Sequence, residues 1–157
     1  MKEAKLKIEN NMRMKKFKYF YILTIICLSI SFSGYGQSDS LLKYCTRYMT
    51  SQYISDGQQY ISLLNGDEIA EFRATFFGGA TYRIAACSGM TEGNIIFTLY
   101  DSYDPQKRKE IFSSKNYKNA PYWDFKFVST MECVIEAQLD PKGPSSGFAI
   151  LLIGFKK

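Results

Sequence analysis

The 157-residue chain contains no histidine. That absence excludes Ser-His-Asp and Cys-His nucleophilic arrangements and the usual catalytic zinc sites, because base catalysis at neutral pH most often recruits imidazole. The chain also lacks an apolar run of bilayer length. Its longest, "YFYILTIICLSISF" from Tyr19 to Phe32, is fourteen residues, against the about 20 that a spanning helix needs. Lys15, Lys16 and Lys18 precede this run, and the small residues Gly34 and Gly36 follow it. This is the pattern of a signal peptide cleaved before Gln37. Residues 1–36 are therefore set apart as a leader, with translation from Met14 as an alternative start and retention as an uncleaved anchor as an alternative fate. Residues 37–157 form the expected single domain. The expected location is outside the cytoplasm: periplasm, cell surface or medium.

Net charge is missing as well once the leader is removed. The formal charge of +5 belongs to the whole chain, whereas from Gln37 onward there are thirteen basic and thirteen acidic residues. No basic field remains to attract nucleic acid or anionic lipid, so neither is an expected partner, and no membrane span is expected after cleavage. The triplet Lys107-Arg108-Lys109 reads as a solvated loop. Three cysteines remain, Cys45, Cys87 and Cys133, an odd number for an oxidising compartment. One bridge and one buried thiol are expected. Cys87 with Cys133 is the preferred pair because both fall in strand-like segments, and the alternative is that all three are small core residues.

The pattern that remains is β. Leu41, Leu42, Cys45, Tyr48 and Met49 are spaced by three and four, which predicts one short amphipathic helix over about 39–50 with Ser38 or Asp39 as N-cap. "SQYISDGQ" (51–58) reads as a turn leading into a strand at 59–64. From Ile69 on, Ala70, Phe72, Ala74 and Phe76 alternate with Glu71, Arg73 and Thr75, giving a strand with one core face. Further strands are expected at 82–87, 95–100, 110–113, 132–139 and 147–155. In "YWDFKF" (122–127), Trp123, the only tryptophan, shares a parity with Phe125 and Phe127, while Asp124 and Lys126 take the other. About eight strands between Gly, Pro, Asn and Asp turns predict an all-β protein, a two-sheet antiparallel sandwich with the long apolar C-terminal strand at its centre.

The run Tyr82-Arg83-Ile84, then "IIFTLYD" with Tyr100-Asp101, then "CVIEAQL" and the final hydrophobic strand resembles the bacterial pre-peptidase C-terminal (PPC) domain. The resemblance covers roughly residues 68–155, and the family's usual Gly-Thr-Tyr before the late strand stands here as Thr130-Met131-Glu132. It implies a jelly-roll-like sandwich and a non-catalytic role, with calcium or matrix polymers as ligands in some members. "FFGGATYRIAACSG", "YWDFKF" and "GFAILLIGFK" are also similar to a group of small secreted bacterial proteins of unknown function.

Chemistry is sparsely represented. Glu132 and Glu136 share a strand face but lie about 13 Å apart at strand rise, too far for a glycosidase pair. No cofactor is expected: "DSYDPQ" reads as a polar hairpin connection, and Asp101 and Asp104 are the candidate ligands for the alternative, calcium. The loop lacks the glycine and terminal bidentate carboxylate of a calcium hand. Tyr117, Asn119 and Tyr122, with Tyr103, are the candidate ligand-binding residues, as aromatic faces and an amide suit a glycan or protein partner. The expected function is a secreted binding or interaction module. The alternatives are an envelope assembly component docked through the N-terminal helix, and a hydrolase with a carboxylate pair assembled across strands.

Overall fold

The computed structural model describes residues 36–89 and 93–157. The expected leader lies outside the described residues, apart from its last residue, Gly36. From Asp39 onward the chain forms one compact unit. Helix α1 spans Gly36–Thr46, so it begins upstream of the expected Ser38 or Asp39 cap and ends earlier than expected. Among the described residues nine strands follow: β1 (Tyr53–Ser55), β2 (Tyr60–Asn65), β3 (Ile69–Phe76), β4 (Thr81–Cys87), β5 (Ile95–Tyr100), β6 (Glu110–Ser113), β7 (Tyr122–Lys126), β8 (Met131–Leu139) and β9 (Ser146–Lys156), with a 3-10 turn at Ser114–Tyr117. β1 is the strand not anticipated. Its three residues sit in what reads as a turn, and they become a strand by pairing Tyr53 with Lys156 and Ser55 with Gly154 at the far end of the chain.

The strands form two antiparallel sheets, an all-β sandwich as expected. Sheet A has the order β1-β9-β4-β7 with β2 also on β9, and sheet B the order β3-β8-β5-β6. β9 is central because it is apolar on both faces. Ala149, Leu151 and Ile153 enter the core between the sheets, while Ile150 and Leu152 are buried on the outer face. Alternation along β4 has the same effect, sending Tyr82, Ile84 and Ala86 inward and Ala85 and Cys87 outward. On sheet B, Phe72, Phe76, Phe97, Leu99, Cys133, Ile135 and Ala137 face the same core.

Parity also decides the disulfide. Cys87 on the outer face of sheet A meets Cys45 of α1, with the Cα atoms 5.9 Å apart. Cys133 on sheet B points into the inter-sheet core, where it is buried and free, and burial pushes its thiol up to about 11. The expected Cys87–Cys133 bridge is therefore replaced by Cys45–Cys87, since the two strand cysteines lie on opposite sides of sheet A. The bridge seats α1 on an outer apolar patch where Leu41 and Leu42, with Tyr48 and Met49 just beyond the helix, pack against Ala85, Ile150 and Leu152.

Two arginines pin loops to the sheets. Arg83 on β4 forms a two-pronged pair with Asp124 on β7, Nε to Oδ1 at 2.7 Å and Nη2 to Oδ2 at 2.8 Å, and donates through Nη1 to the Tyr48 carbonyl at 3.0 Å. Its guanidinium lies 4.3 Å from the centres of both the Tyr53 and Tyr122 rings. Arg83 holds the Asp124 carboxyl below its ordinary range. Arg108 bridges Glu71 and Glu136, which face each other across β3 and β8. The expectation that Lys107-Arg108-Lys109 is merely solvated is thus corrected at Arg108. It ties the β5–β6 loop over the outer face of sheet B, whose Val134 is accordingly buried.

Candidate functional site

β3 stops at Phe76, and the chain crosses from sheet B to sheet A through Phe77–Ala80, whereas β9 runs on to Lys156. Gly79 takes φ +83°, which favours glycine. A Cβ on Gly78 would stand 2.8 Å from the Ser129 Cα, so the turn has no room for a larger residue. The sandwich is open between the last residues of β3 with this crossing and the end of β9. Phe155 shares the inward parity of Leu151 and Ile153 and pairs with Tyr82, yet 38% of it is exposed. Its other neighbour, Ile54 on β1, is 44% exposed, and Phe77 at the lip is 63% exposed. Phe155 and Phe77 line one cleft together with the core residues Phe76 and Ile153.

The opening is a cleft of about 610 Å³. Its floor is Phe76, Tyr82, Ile153 and Phe155, and its rim includes Asp56, Gln58, Tyr60, Arg73 and Tyr103. The Tyr60 hydroxyl donates to Gln58 Oε1 at 2.9 Å. Burial and the neighbouring Asp56 carboxylate push that hydroxyl up to about 12. Burial also raises the Asp56 carboxyl, against the Gln58 N–H that donates to it at 2.9 Å. Tyr60 stacks edge-on with Phe72, ring centres 5.7 Å apart, and closes the gap between the sheets beside the cleft. The guanidinium of Arg73 lies 5.3 Å from the Tyr103 ring centre. This combination of an apolar floor and a few polar rim groups is the usual make-up of a binding pocket.

Of the residues singled out from sequence, only Tyr103 belongs to this cleft. Tyr117 lies against Phe112 and Trp123 at 5.3 and 4.4 Å, where it covers the β6–β7 side of the core. Tyr122 faces the other way, onto Arg83 and Tyr48, because adjacent residues of β7 point to opposite faces. Asn119, in the left-handed region at φ 54°, donates to the Gly93 carbonyl at 3.0 Å and to Asp140 at 2.7 Å, tying two loops together. These three do not form one patch, contrary to expectation. Asp101 accepts from the Lys109 N–H at 2.6 Å and Asp104 from the Gln106 N–H at 3.0 Å. Both carboxylates thus organise their own loop. Among the described residues no group of three or more acidic or cysteine side chains could hold a metal ion. Nor among them is any helix long and apolar enough to cross a membrane.

Asp56, Gln58, Tyr60 and Phe155 of this cleft escaped the sequence reading. "SQYISDG" carries the alternation of a strand at Tyr53-Ile54-Ser55, the one signal that could have pointed there. The exposure of Phe155 has no local signal, because its parity is that of the buried Leu151 and Ile153.

Fold and site together define an all-β sandwich with an apolar mouth at one end. No protein-family model and no curated protein matches the chain. Among solved structures it is similar to PliG of Aeromonas hydrophila, a periplasmic inhibitor of g-type lysozyme. The identity is 12%, the match covers 63% of this chain and 85% of that one, and the TM-score is 0.48.

Proposed function

We propose that the protein is an exported, non-catalytic binding module that seizes a segment of a protein partner by taking one of its apolar side chains into the mouth of the sandwich. The observation that carries this reading is Phe155, which has the inward parity of Leu151 and Ile153 yet is 38% exposed and lines the cleft with Phe76 and Phe77. An apolar side chain entering there completes the core and gains what a buried Leu or Phe gains, about 1.5 to 3 kcal/mol. A sugar would have to leave several hydroxyls against Phe76, Ile153 and Phe155 without partners, at a cost for each. Asp56 and Gln58 on the rim suit the backbone N–H groups of a bound segment.

Export is supported by the leader pattern and independently by the Cys45–Cys87 bridge, which an oxidising compartment maintains. A non-catalytic role is supported by the use made of the carboxylates. Glu71 and Glu136 form the cross-strand pair that a hydrolase would need, and both are engaged by Arg108. The binding reading is preferred to the assembly reading because Leu41 and Leu42, on the apolar side of α1, pack on sheet A.

Selection from a displayed random-peptide library, run beside a glycan array, tests the proposal. Peptides sharing one apolar position are expected, with affinity falling about tenfold or more for Phe77→Ser and Phe155→Ser, the loss of one anchor side chain. Binding confined to glycans, peptide binding indifferent to both substitutions, or silence on both panels would overturn it.

A further inference from the structure

The five strands at the edges of the two sheets are not protected alike. β6 is four residues long and its register with β5 shifts at Leu99/Tyr100. β7 is five residues and ends in Lys126, β1 is three residues, and β2 is six. β6, β7 and β1 are the short, irregular or charged edges by which sheet proteins avoid pairing with one another, while β2 is uncharged and in unbroken register with β9. β3 is the longest of these edges. It is eight residues, "IAEFRATF", without proline, glycine or lysine, in unbroken register with β8 from Ile69 to Phe76. It lies at the end of its sheet, so alternate residues turn their N–H and C=O groups to the free side.

The sequence of that edge complements itself. If two copies of β3 pair antiparallel about a twofold axis at Phe72, Glu71 stands opposite Arg73 and Arg73 opposite Glu71, both on the outer face. Ile69 then meets Thr75, and on the inner face Ala70 meets Ala74 and Phe72 meets its own copy. A shift of the axis by one residue either way destroys this match. About Glu71 the acidic residues face each other and Arg73 meets Ile69, while about Arg73 the cations face each other and Glu71 meets Thr75. The charges also have capacity for it. Among the described residues Glu71 is bonded to Arg108 through Oε1 alone, and Arg73 has a ring neighbour, Tyr103, but no carboxylate partner. Opposite charges directly across an antiparallel pair favour the pairing, and like charges oppose it.

We infer that the protein associates as a twofold dimer through the free edge of β3, in the register centred on Phe72, joining two B sheets into one of eight strands. Such an interface is isologous, using the same patch on each copy, and it closes on itself, so it makes dimers and not filaments. The inference goes beyond the ligand-binding reading and does not rest on it. It also sets the partner's Ile69 beside Thr75, which lines the mouth.

Sedimentation equilibrium over a range of concentrations, with circular dichroism as a check on folding, tests the inference. Arg73→Glu places like charges across both pairs and is expected to weaken the dimer at least about tenfold. Adding Glu71→Arg to it exchanges the two charges and is expected to restore association. Register is read separately by cysteine cross-linking. Ile69→Cys combined with Thr75→Cys is expected to give a covalent dimer on mild oxidation, while Ile69→Cys alone gives none, its copies lying six residues apart along the paired strands. A monomer at every concentration overturns the inference. So does a dimer that Arg73→Glu leaves intact, or cross-linking through Ile69→Cys alone.

Discussion

Reduction of the Cys45–Cys87 bridge is expected to cost the folded chain about 4 kcal/mol while both sheets persist. The bridge spans a sequence separation of 42. Releasing a loop of that size returns about 13 cal/mol/K of entropy to the unfolded chain, which is about 4 kcal/mol at 25 °C. Reduction removes no side chain, so the packing of Leu41, Leu42 and Cys45 on Ala85, Ile150 and Leu152 stays available to the folded state. The loss therefore measures the closure of the loop and not a cavity. Urea unfolding followed by Trp123 fluorescence, with and without a reducing agent, reads it directly. With a slope of about 2 kcal/mol/M, ordinary for a domain of this size, the midpoint falls by about 2 M. Amide exchange supplies the spatial half of the prediction. Amides of α1 lose protection on reduction, while those of β4, β8 and β9 keep theirs. Coincident midpoints for the oxidised and reduced protein would refute the reasoning, as would simultaneous loss of protection in helix and sheets.

Acid tests the Arg83 clamp. Arg83 lowers the Asp124 carboxyl below its unfolded value of 3.8, so the folded state takes up this proton less readily than the unfolded chain. The contribution is complete above about pH 4 and is lost as pH falls through and below that value. Urea midpoints measured from about pH 6 to about pH 2 should fall more steeply for the native protein than for Asp124→Asn, and parallel curves would contradict the assignment. Trp123→Ala should lower stability by about 2 to 4 kcal/mol, less than for a fully buried indole, because Trp123 is half-buried against Phe112 and Tyr117. A variant melting at the native temperature would show that the indole is not part of the core. Ser substitutions at Phe77 and Phe155 complete the set, with their peptide-binding outcome given above.

Local alternation was enough to assign most strands and their faces. Ala70, Phe72 and Phe76 on β3, and Cys133, Ile135 and Ala137 on β8, carry their core parity in the residue order itself, because a pleat turns every second side chain the same way. The central place of β9 was legible for a related reason: a strand apolar on both faces has to be covered on both. β1 was not legible, since three residues become a strand only through a partner a hundred residues away. The aromatic patch expected at Tyr117, Asn119 and Tyr122 dissolved because closeness in sequence does not survive a strand's alternation, which put Tyr122 and Trp123 on opposite faces.

By itself, the sequence determined the class of fold, the faces of its strands, an export pattern and the lack of imidazole chemistry, all of which are properties of composition or of neighbours within a few residues. Tertiary structure decided which cysteines meet, where the sandwich stays open and which edge is left unprotected. Each of these depends on comparing elements distant in the chain: the face of sheet A that Cys87 occupies against that of Cys133, the side chains of β3 and its crossing against those of β9, and the length of β3 against that of the other edges. Those comparisons are set by strand register, and register arises from the packing of whole sheets.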